Sequence, residues 1–315
     1  MFRAVKQKSV SVAGVRCGRH ISRVTSDRVW ICDDNNLILT NTAGDQLHHL
    51  TGILSGYGVH TVNNEGDLIY IDREYNINKL STDNTVKTTL IKYTAPWEPR
   101  CVYSSPSTGY LLIVMRNTDT NTGKVVRYNS TGQHVQSIQY DNKGQELYCI
   151  PRYITENRNG DVVVSDWFCV VVTDGGGSYR FSFKGHSSGS RLDPLGICTD
   201  SLSHIFVCDY NTGSVLIIDK DGQFLSQIET REHGIDGPCG LIFDDKMICL
   251  WVGSWDKNTV NIYRLGDSLT GRSMEAADKY SAQIERNLGC AKAISTKTQT
   301  TEKLQPNVTR EDQGT

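Results

Sequence analysis

The sequence lacks the features that mark several protein classes. It has only 7 prolines in 315 residues, and no run approaches the roughly 18 consecutive apolar residues of a membrane-spanning helix. Its first residues include basic side chains but no apolar stretch of the signal-peptide type. The formal net charge of −2 argues against a globally basic nucleic-acid binder and against a strongly acidic solvating chain. These absences predict a cytoplasmic protein with no membrane segment.

The 10 cysteines form no C-x-x-C pair. They are spread from Cys17 to Cys290 and show no zinc-ligand spacing. In a chain with no visible leader, such cysteines are expected to be reduced and mostly buried thiols. The sequence therefore predicts no zinc, no other metal and no cofactor in this chain.

Helical periodicity is nearly absent before residue 270. In its place are short apolar runs bounded by Gly, Asn, Asp or Ser, such as 68–71, 111–115, 162–164, 205–207 and 215–218. Glycine-containing turn sequences separate the runs and supply the positive-φ residues that tight hairpins require. This pattern predicts an all-β fold.

The strand pattern also repeats along the chain. The clearest copy begins at Pro194, two others begin at Tyr153 and Pro238, and weaker ones begin at Ile21, Val59 and Arg100. The ends of the second strands are 39 to 50 residues apart, at Asp33, Asp72, Arg116, Asp166, Asp209 and Ser254. A period of about 44 residues with four strands in each unit indicates a β-propeller, and six units predict six blades.

The chain is predicted to have three segments: a lead at 1–8, the propeller at 9–265 and a polar tail at 266–315. The last repeat ends after its third strand near Arg264, so residues 9–15 are expected to supply the outer strand of blade six and close the ring. In the tail, residues 273–288 could form one helix, and the remainder is rich in polar residues and expected to be disordered.

Seven stretches of the repeats carry a family resemblance: 109–116, 123–128, 136–145, 153–161, 194–200, 209–213 and 219–225. They resemble NHL repeats, particularly the C-terminal propeller of tripartite-motif (TRIM-NHL) proteins of the type 2/type 3-like invertebrate group. The resemblance implies a non-enzymatic recognition module in proteins whose RING and B-box modules act in ubiquitin transfer. This chain shows neither module, so no ubiquitin-ligase activity is expected of it. Arg116 stands where the family usually has Asp, which puts the turn of blade three in question.

One rim of a propeller carries the loops that enter each blade and the loops that join its second and third strands. On this rim the sequence places basic and aromatic side chains: Arg73, Trp97, Arg100, Arg116, Arg152, Trp167, Tyr210, Trp255 and Lys257. Such a set suits protein partners, because Trp, Tyr and Arg dominate binding hot spots. It also suits single-stranded RNA, which uses phosphate contacts and base stacking. The near-neutral charge favours a protein partner, and RNA is the alternative. The aromatic residues at 167, 210 and 255 would equally serve as packing wedges between blades.

Carboxylates at the ends of second strands, such as Asp72, Asp166 and Asp209, could be interpreted as a metal ring. Their turn positions instead favour acceptance of backbone N–H bonds.

A third alternative is a hydrolase or lyase with a divalent cation in the channel, which needs several oxygen ligands on the innermost strands. Only Glu156 and Asn157 form an acid/amide pair there, and the matching strands carry Ile197, Cys198, Leu241 and Ile242. The sequence therefore predicts no enzyme and assigns no catalytic or metal-binding residue.

Overall fold

The computed structural model describes residues 4–52, 60–185 and 190–266. These residues form six four-stranded antiparallel sheets. The first strand of each sheet contacts the first strands of two neighbouring sheets, so the six first strands form a closed ring around the centre. The predicted all-β, six-bladed propeller is confirmed.

Each blade is numbered here from the innermost strand outwards. Blade 1 consists of β2 (His20–Arg23), β3 (Arg28–Cys32), β4 (Asn36–Asn41) and β5 (Gln46–Thr51). Blade 2 consists of β6 (His60–Val62), β7 (Leu68–Ile71), β8 (Ile77–Leu80) and β9 (Lys87–Ile91). Blade 3 consists of β10 (Trp97–Ser104), β11 (Leu111–Asn117), β12 (Gly123–Tyr128) and β13 (His134–Ile138). Blade 4 consists of β14 (Tyr153–Glu156), β15 (Val162–Asp166), β16 (Cys169–Thr173) and β17 (Tyr179–Phe183). Blade 5 consists of β18 (Pro194–Thr199), β19 (Ile205–Asp209), β20 (Ser214–Ile218) and β21 (Phe224–Glu229). Blade 6 consists of β22 (Pro238–Asp244), β23 (Cys249–Ser254), β24 (Thr259–Leu265) and β1 (Ala4–Ser11). A 3₁₀ turn, Arg231–His233, precedes blade 6.

The N-terminal strand closes the ring as predicted. Strand β1 pairs antiparallel with β24, from Ala4 opposite Leu265 to Ser11 opposite Thr259. It begins at Ala4, inside the segment expected to be a lead. Val10 and Val12 are buried in a cluster that also contains Val260 and Ile262. The outer strand of blade 6 is therefore fixed by apolar packing as well as by its ladder.

The second and third strands of the blades form the core. All five residues of β15, β19 and β20 are buried, whereas outer strand β9 is half-buried or exposed. This gradient arises because each blade covers the faces of its neighbours and leaves its outer edge to solvent.

The carboxylates at the second-strand ends accept backbone N–H groups as predicted, although Asp166 accepts mainly from Cys149 and Ile150, which precede blade 4, rather than from the turn that follows Asp166. Oδ1 of Asp72 accepts the N–H groups of Glu74 at 3.0 Å and Asn76 at 2.9 Å. Asp33 does the same for Asn35 and Asn36. In blade 3 the strand extends one residue beyond Arg116, and Asn117 accepts from the N–H groups of Asp119 and Thr120. The turn in blade 3 is thus built on the residue after Arg116.

The nine described cysteines are all free thiols, and seven of them are buried, which confirms the expectation for this part of the chain. Within the three described ranges there is no helix with the length and hydrophobicity that a bilayer crossing requires. The predicted tail helix at 273–288 lies outside the described residues.

Candidate active site

A cavity lies at one end of the central channel, where the C-terminal ends of the inner strands meet. Its volume is about 460 Å³, within the range of small-molecule sites. The polar side chains that these strands contribute to its wall include His20, Ser22, Tyr103, Ser104, Thr155 and Glu156. They come from β2, β10 and β14, so three different blades contribute to one site.

A serine and two histidines form a hydrogen-bonded chain in this wall. The hydroxyl of Ser22 lies 2.9 Å from Nδ1 of His60, and Nε2 of His60 lies 3.4 Å from Nδ1 of His20. The Ser22 hydroxyl is also 3.1 Å from the carbonyl oxygen of His60. His60 is completely buried, while Ser22 and His20 both line the cavity. The buried imidazole therefore connects two points on the cavity surface.

Both imidazoles are kept neutral. Burial lowers the pKa of His20 to about 4. Burial also lowers the pKa of His60 well below its usual value, the nearby His20 lowers it further, and a hydrogen bond to the main chain of His20 opposes the shift. At neutral pH each ring consequently carries one proton, on Nδ1 or Nε2.

Tyr103 supplies a protonated hydroxyl in the same wall. Burial raises the pKa of Tyr103 to about 12, opposed by a hydrogen bond with Thr155. Ser104, the next residue, is 4% exposed, and its Oγ has no hydrogen-bond partner in the described structure. Its N–H, by contrast, donates to Oγ1 of Thr61 at 3.2 Å.

The charged groups around the mouth are mostly paired. Arg23 lies 2.5 Å from Asp244, and Arg158 lies 3.7 Å from Asp245. Glu156 ends β14 and forms no ion pair with any described residue. Its carboxylate accepts a hydrogen bond from the Ser107 hydroxyl at 3.5 Å.

The donor set does not fit the divalent cation of the enzyme alternative. The described parts of the chain contain no group of three or more His, Cys, Asp or Glu side chains placed to hold a metal ion. Besides Glu156, the inner strands end at Arg23, Val62, Ser104, Thr199 and Asp244. Asp244 is engaged with Arg23 and with the N–H of Lys246. Asp200 and Asp245 also line the cavity, but these two carboxylates and Glu156 do not form a group that could hold a metal ion.

The nine rim residues predicted from the sequence lie outside the cavity wall. Arg152 pairs with Asp193 at 2.6 Å, Arg100 lies 3.5 Å from Glu98, and Lys257 lies 3.2 Å from Asp236. Nη2 of Arg116 donates to Asn121, and Nη2 of Arg73 donates to Asn35. The rim cations are thus each engaged with a neighbouring side chain.

The rim aromatic residues play different structural roles. Tyr210 and Trp255 meet edge to face at 6.0 Å and enclose Gly237, so they pack between blades 5 and 6 as the wedge interpretation predicts. Lys124 lies 3.8 Å above the ring of Trp97. Trp167 contacts Phe168 and is 38% exposed.

Sequence reasoning correctly placed Glu156, Asn157, Cys198 and Ile242 around the channel, and all four line the cavity. It missed His20, Ser22, His60 and Tyr103. These residues could have been found from the sequence, because each is a polar residue in a short strand, and the repeat pattern places that strand innermost in its blade.

No family model matches the sequence, and no curated protein matches it either. The fold is similar to that of several solved structures. A gluconolactonase of Xanthomonas campestris aligns over 84% of this chain and 90% of that chain, with 14% identity and a TM-score of 0.62. A virginiamycin B lyase of Staphylococcus aureus covers 84% of this chain and 99% of its own, with 13% identity and a TM-score of 0.57. A luciferin-regenerating enzyme covers 82% and 94%, with 11% identity and a TM-score of 0.62.

These comparisons correct two expectations. Assignment to the tripartite-motif NHL group is wrong, because the fold aligns with propellers of the gluconolactonase and lyase kind and no family model supports NHL repeats. The prediction of a non-enzymatic recognition module is wrong on the same finding, since these structural neighbours are enzymes. At 11–14% identity the likeness itself establishes the fold.

Proposed function

We propose that this chain is an enzyme of the hydrolase or lyase type, which acts on a small polar organic molecule in the cavity at the end of the inner strands. The observation that carries this proposal is the chain of contacts from Ser22 through buried His60 to His20, which begins and ends on the cavity surface. The similarity in fold to a gluconolactonase and to a virginiamycin B lyase supports the same reaction classes.

The three side chains can move a proton from one side of a substrate to the other. The attacking water gives a proton to Oγ of Ser22 while Ser22 gives its own to Nδ1 of His60. His60 releases a proton from Nε2 to Nδ1 of His20, and His20 gives its Nε2 proton to the leaving oxygen. The water oxygen forms the new bond to the acyl carbon, and the bond from that carbon to the leaving oxygen breaks. For a lyase, the proton taken up by Ser22 comes from the carbon next to the one that bears the leaving oxygen. A double bond then forms between these two carbons as the bond to the leaving oxygen breaks, and that oxygen takes the proton from His20.

The low pKa of both histidines suits this relay. A base that had to hold a full positive charge would be a poor one in a site that depresses the pKa of His20 to about 4. In the relay each ring loses one proton as it gains another, so no imidazolium accumulates. Ser22 and His20, at the two ends of the relay, both line the cavity, so each can exchange protons with water between turnovers.

Tyr103 gives the site a hydrogen-bond donor for developing negative charge. Its pKa of about 12 means that the phenol keeps its proton at neutral pH. A protonated phenol in a poorly hydrated wall can stabilise an oxyanion by donating to it, and removal of one such donor costs about 10²–10³ in kcat. Both acid–base transfer and oxyanion stabilisation can therefore be assigned to residues of this chain.

A turnover screen tests the proposal. Purified protein is mixed with a panel of small lactones, acid release is followed in a pH-stat, and absorbance is followed for new conjugated double bonds. We expect at least one substrate to be opened above the uncatalysed rate and the rate to fall about 100-fold or more in His60→Gln.

His134→Gln is the matched control, because His134 lies exposed on outer strand β13 and the chemical change is the same. Unchanged turnover is expected in this variant. If no lactone is turned over faster than in buffer, or if His60→Gln and His134→Gln behave alike, the proposed function is wrong.

A further inference from the structure

The side chain of Tyr153 crosses the central channel. Tyr153 begins β14 in blade 4, and its hydroxyl donates to the carbonyl oxygen of Arg19, the residue before β2 of blade 1, at 3.0 Å. Blades 1 and 4 have two blades between them in either direction around the ring, so this contact is made through the channel. Tyr153 is 1% exposed and does not line the cavity.

The ring of Tyr153 stacks on the ring of His20. The two ring centroids are 5.8 Å apart and the planes differ by 15°. The ring of His20 also meets that of His60, at 88°. With one parallel and one perpendicular neighbour, the His20 ring cannot turn over without displacing one of them. Such a turn would put a ring carbon where Nδ1 now faces Nε2 of His60, and carbon cannot accept the proton.

The hydroxyl of Tyr153 is held by two other parts of the ring. Besides the carbonyl of Arg19, it lies 3.1 Å from Sγ of Cys239 on β22, and this thiol lies 3.3 Å from the same carbonyl oxygen. Burial raises the pKa of Tyr153 well above its usual value and the pKa of Cys239 to about 12. Both groups therefore keep their protons at neutral pH and can donate.

From these contacts we infer that Tyr153 is a positioning residue for His20, which it holds from across the channel so that Nδ1 of His20 stays 3.4 Å from Nε2 of His60. The inference rests on the proposed function, because it concerns the same relay. Tyr153 lies outside the cavity wall and acts on a substrate only through His20. Any apolar side chain of similar size could fill the space, whereas positioning requires the parallel ring and the bond to the residue before His20.

The tautomer of His20 tests the inference without requiring turnover. Long-range nitrogen–proton NMR spectra at neutral pH report which ring nitrogen carries the proton. We expect one tautomer of His20 in the wild-type chain, because a fixed ring keeps one hydrogen-bonding arrangement with His60. We expect both tautomers in Tyr153→Leu, which removes the ring and the hydroxyl. Two tautomers in the wild type, or an unchanged single tautomer in Tyr153→Leu, would overturn the inference.

Tyr148 supplies the matched control. It is 2% exposed and does not line the cavity, so Tyr148→Leu makes the same change in an equally buried place. Its His20 spectrum should match the wild type. A His20 spectrum that changes equally in both leucine variants would reduce Tyr153 to a packing role. The wild-type spectrum remains a test even if Tyr153→Leu fails to fold.

Kinetics provide a second test. In Tyr153→Leu we expect kcat for lactone opening to fall about 100-fold, as for a misplaced catalytic group, and KM to change by less than about threefold. Tyr153→Phe keeps the stacked ring and should recover at least about a tenth of the wild-type kcat. Loss of activity in Tyr153→Phe as large as in Tyr153→Leu, or a change in KM alone, would contradict the inference.

The two measurements separate the inference from the proposed function. Two His20 tautomers in Tyr153→Leu, with no lactone turned over by the wild type, would support the positioning role and contradict the proposed reaction. Lactone turnover with the same kcat in Tyr153→Leu and in the wild type would support the reaction and contradict the positioning role.

Discussion

The side chains of Ser22 and His60 meet at 2.9 Å although 38 residues separate them in the sequence. Ser22 lies on β2 of blade 1 and His60 lies on β6 of blade 2, so the contact crosses a blade boundary. It exists because the two inner strands lie side by side around the channel. The same proximity places His20 and His60 ring to ring at a centroid distance of 4.6 Å.

The buried histidines predict an acid-sensitive fold. The pKa of His20 is about 4 in the folded chain and about 6.5 in an unfolded one, so between these values only the unfolded chain binds the proton. The free energy of unfolding should therefore fall as the pH is lowered from about 6.5 to about 4, by on the order of 2–3 kcal/mol for His20. Urea unfolding across this range measures the effect.

A variant with His20→Gln and His60→Gln isolates this contribution. Its unfolding free energy should change less over the same pH window, whereas His134→Gln should keep the wild-type slope. The carboxyl groups of Asp33 and Asp67 also have lowered pKa values, but their contribution is lost at lower pH. Equal slopes in the double variant and the wild type would show that the two rings are not held neutral by burial.

Two buried serines predict opposite responses to the same substitution. Oγ of Ser165 donates to the carbonyl of Leu195 at 2.6 Å across blades 4 and 5, whereas Oγ of Ser104 has no partner. We expect Ser165→Ala to lower the unfolding free energy by about 1–3 kcal/mol and Ser104→Ala to change it by less than about 0.5 kcal/mol. Denaturant unfolding of both variants is the measurement, and a larger loss for Ser104→Ala would contradict the environment assigned to it.

Gly196 lies at a close approach of two inner strands. A Cβ placed on it would lie 1.8 Å from the carbonyl oxygen of Cys239, in the neighbouring blade. Gly196→Ala should therefore cost about 2–4 kcal/mol of stability, because backbone rather than a side chain has to move. Gly176→Ala is the matched control, since its Cβ would meet only the side chain of Asp174. Equal thermal unfolding of both variants would refute the close packing of blades 5 and 6.

The fold was predictable because its determinants are local. Asp72 and Asp33 each fix a turn within four residues, and Gly222 adopts φ 89° in the turn where Asp219 accepts two N–H groups. Such turns recur once or more in each blade, so the length of the repeat can be read from their spacing along the sequence. Blade 3 shows the tolerance of this pattern, because Asn117 takes over the turn when Arg116 occupies the expected position.

The site was less predictable because its residues belong to different repeats. Glu156 and Asn157 were found as an adjacent pair on one inner strand. Ser22 and His60 lie in the short strands β2 and β6 beside other polar residues such as Arg23 and Thr61, and nothing in either strand indicates the other. Their meeting depends on the angle between blades, which the spacing of repeats along the chain does not encode.

The family and function inferred by resemblance were wrong for a related reason. The turn residues that suggested NHL repeats, such as those at 209–213 and 219–225, are what any short-stranded blade requires. They specify the propeller and carry no information about the chemistry at its centre.

The most direct test of the proposed proton relay compares kcat/KM for lactone opening in Ser22→Ala, in His60→Gln and in the double variant. Residues that act as one unit show strongly non-additive losses. We predict that each single variant loses about 100-fold or more and that the double variant loses no more than the worse single one. Losses that multiply in the double variant, or a single variant with wild-type activity, would contradict a relay through Ser22 and His60.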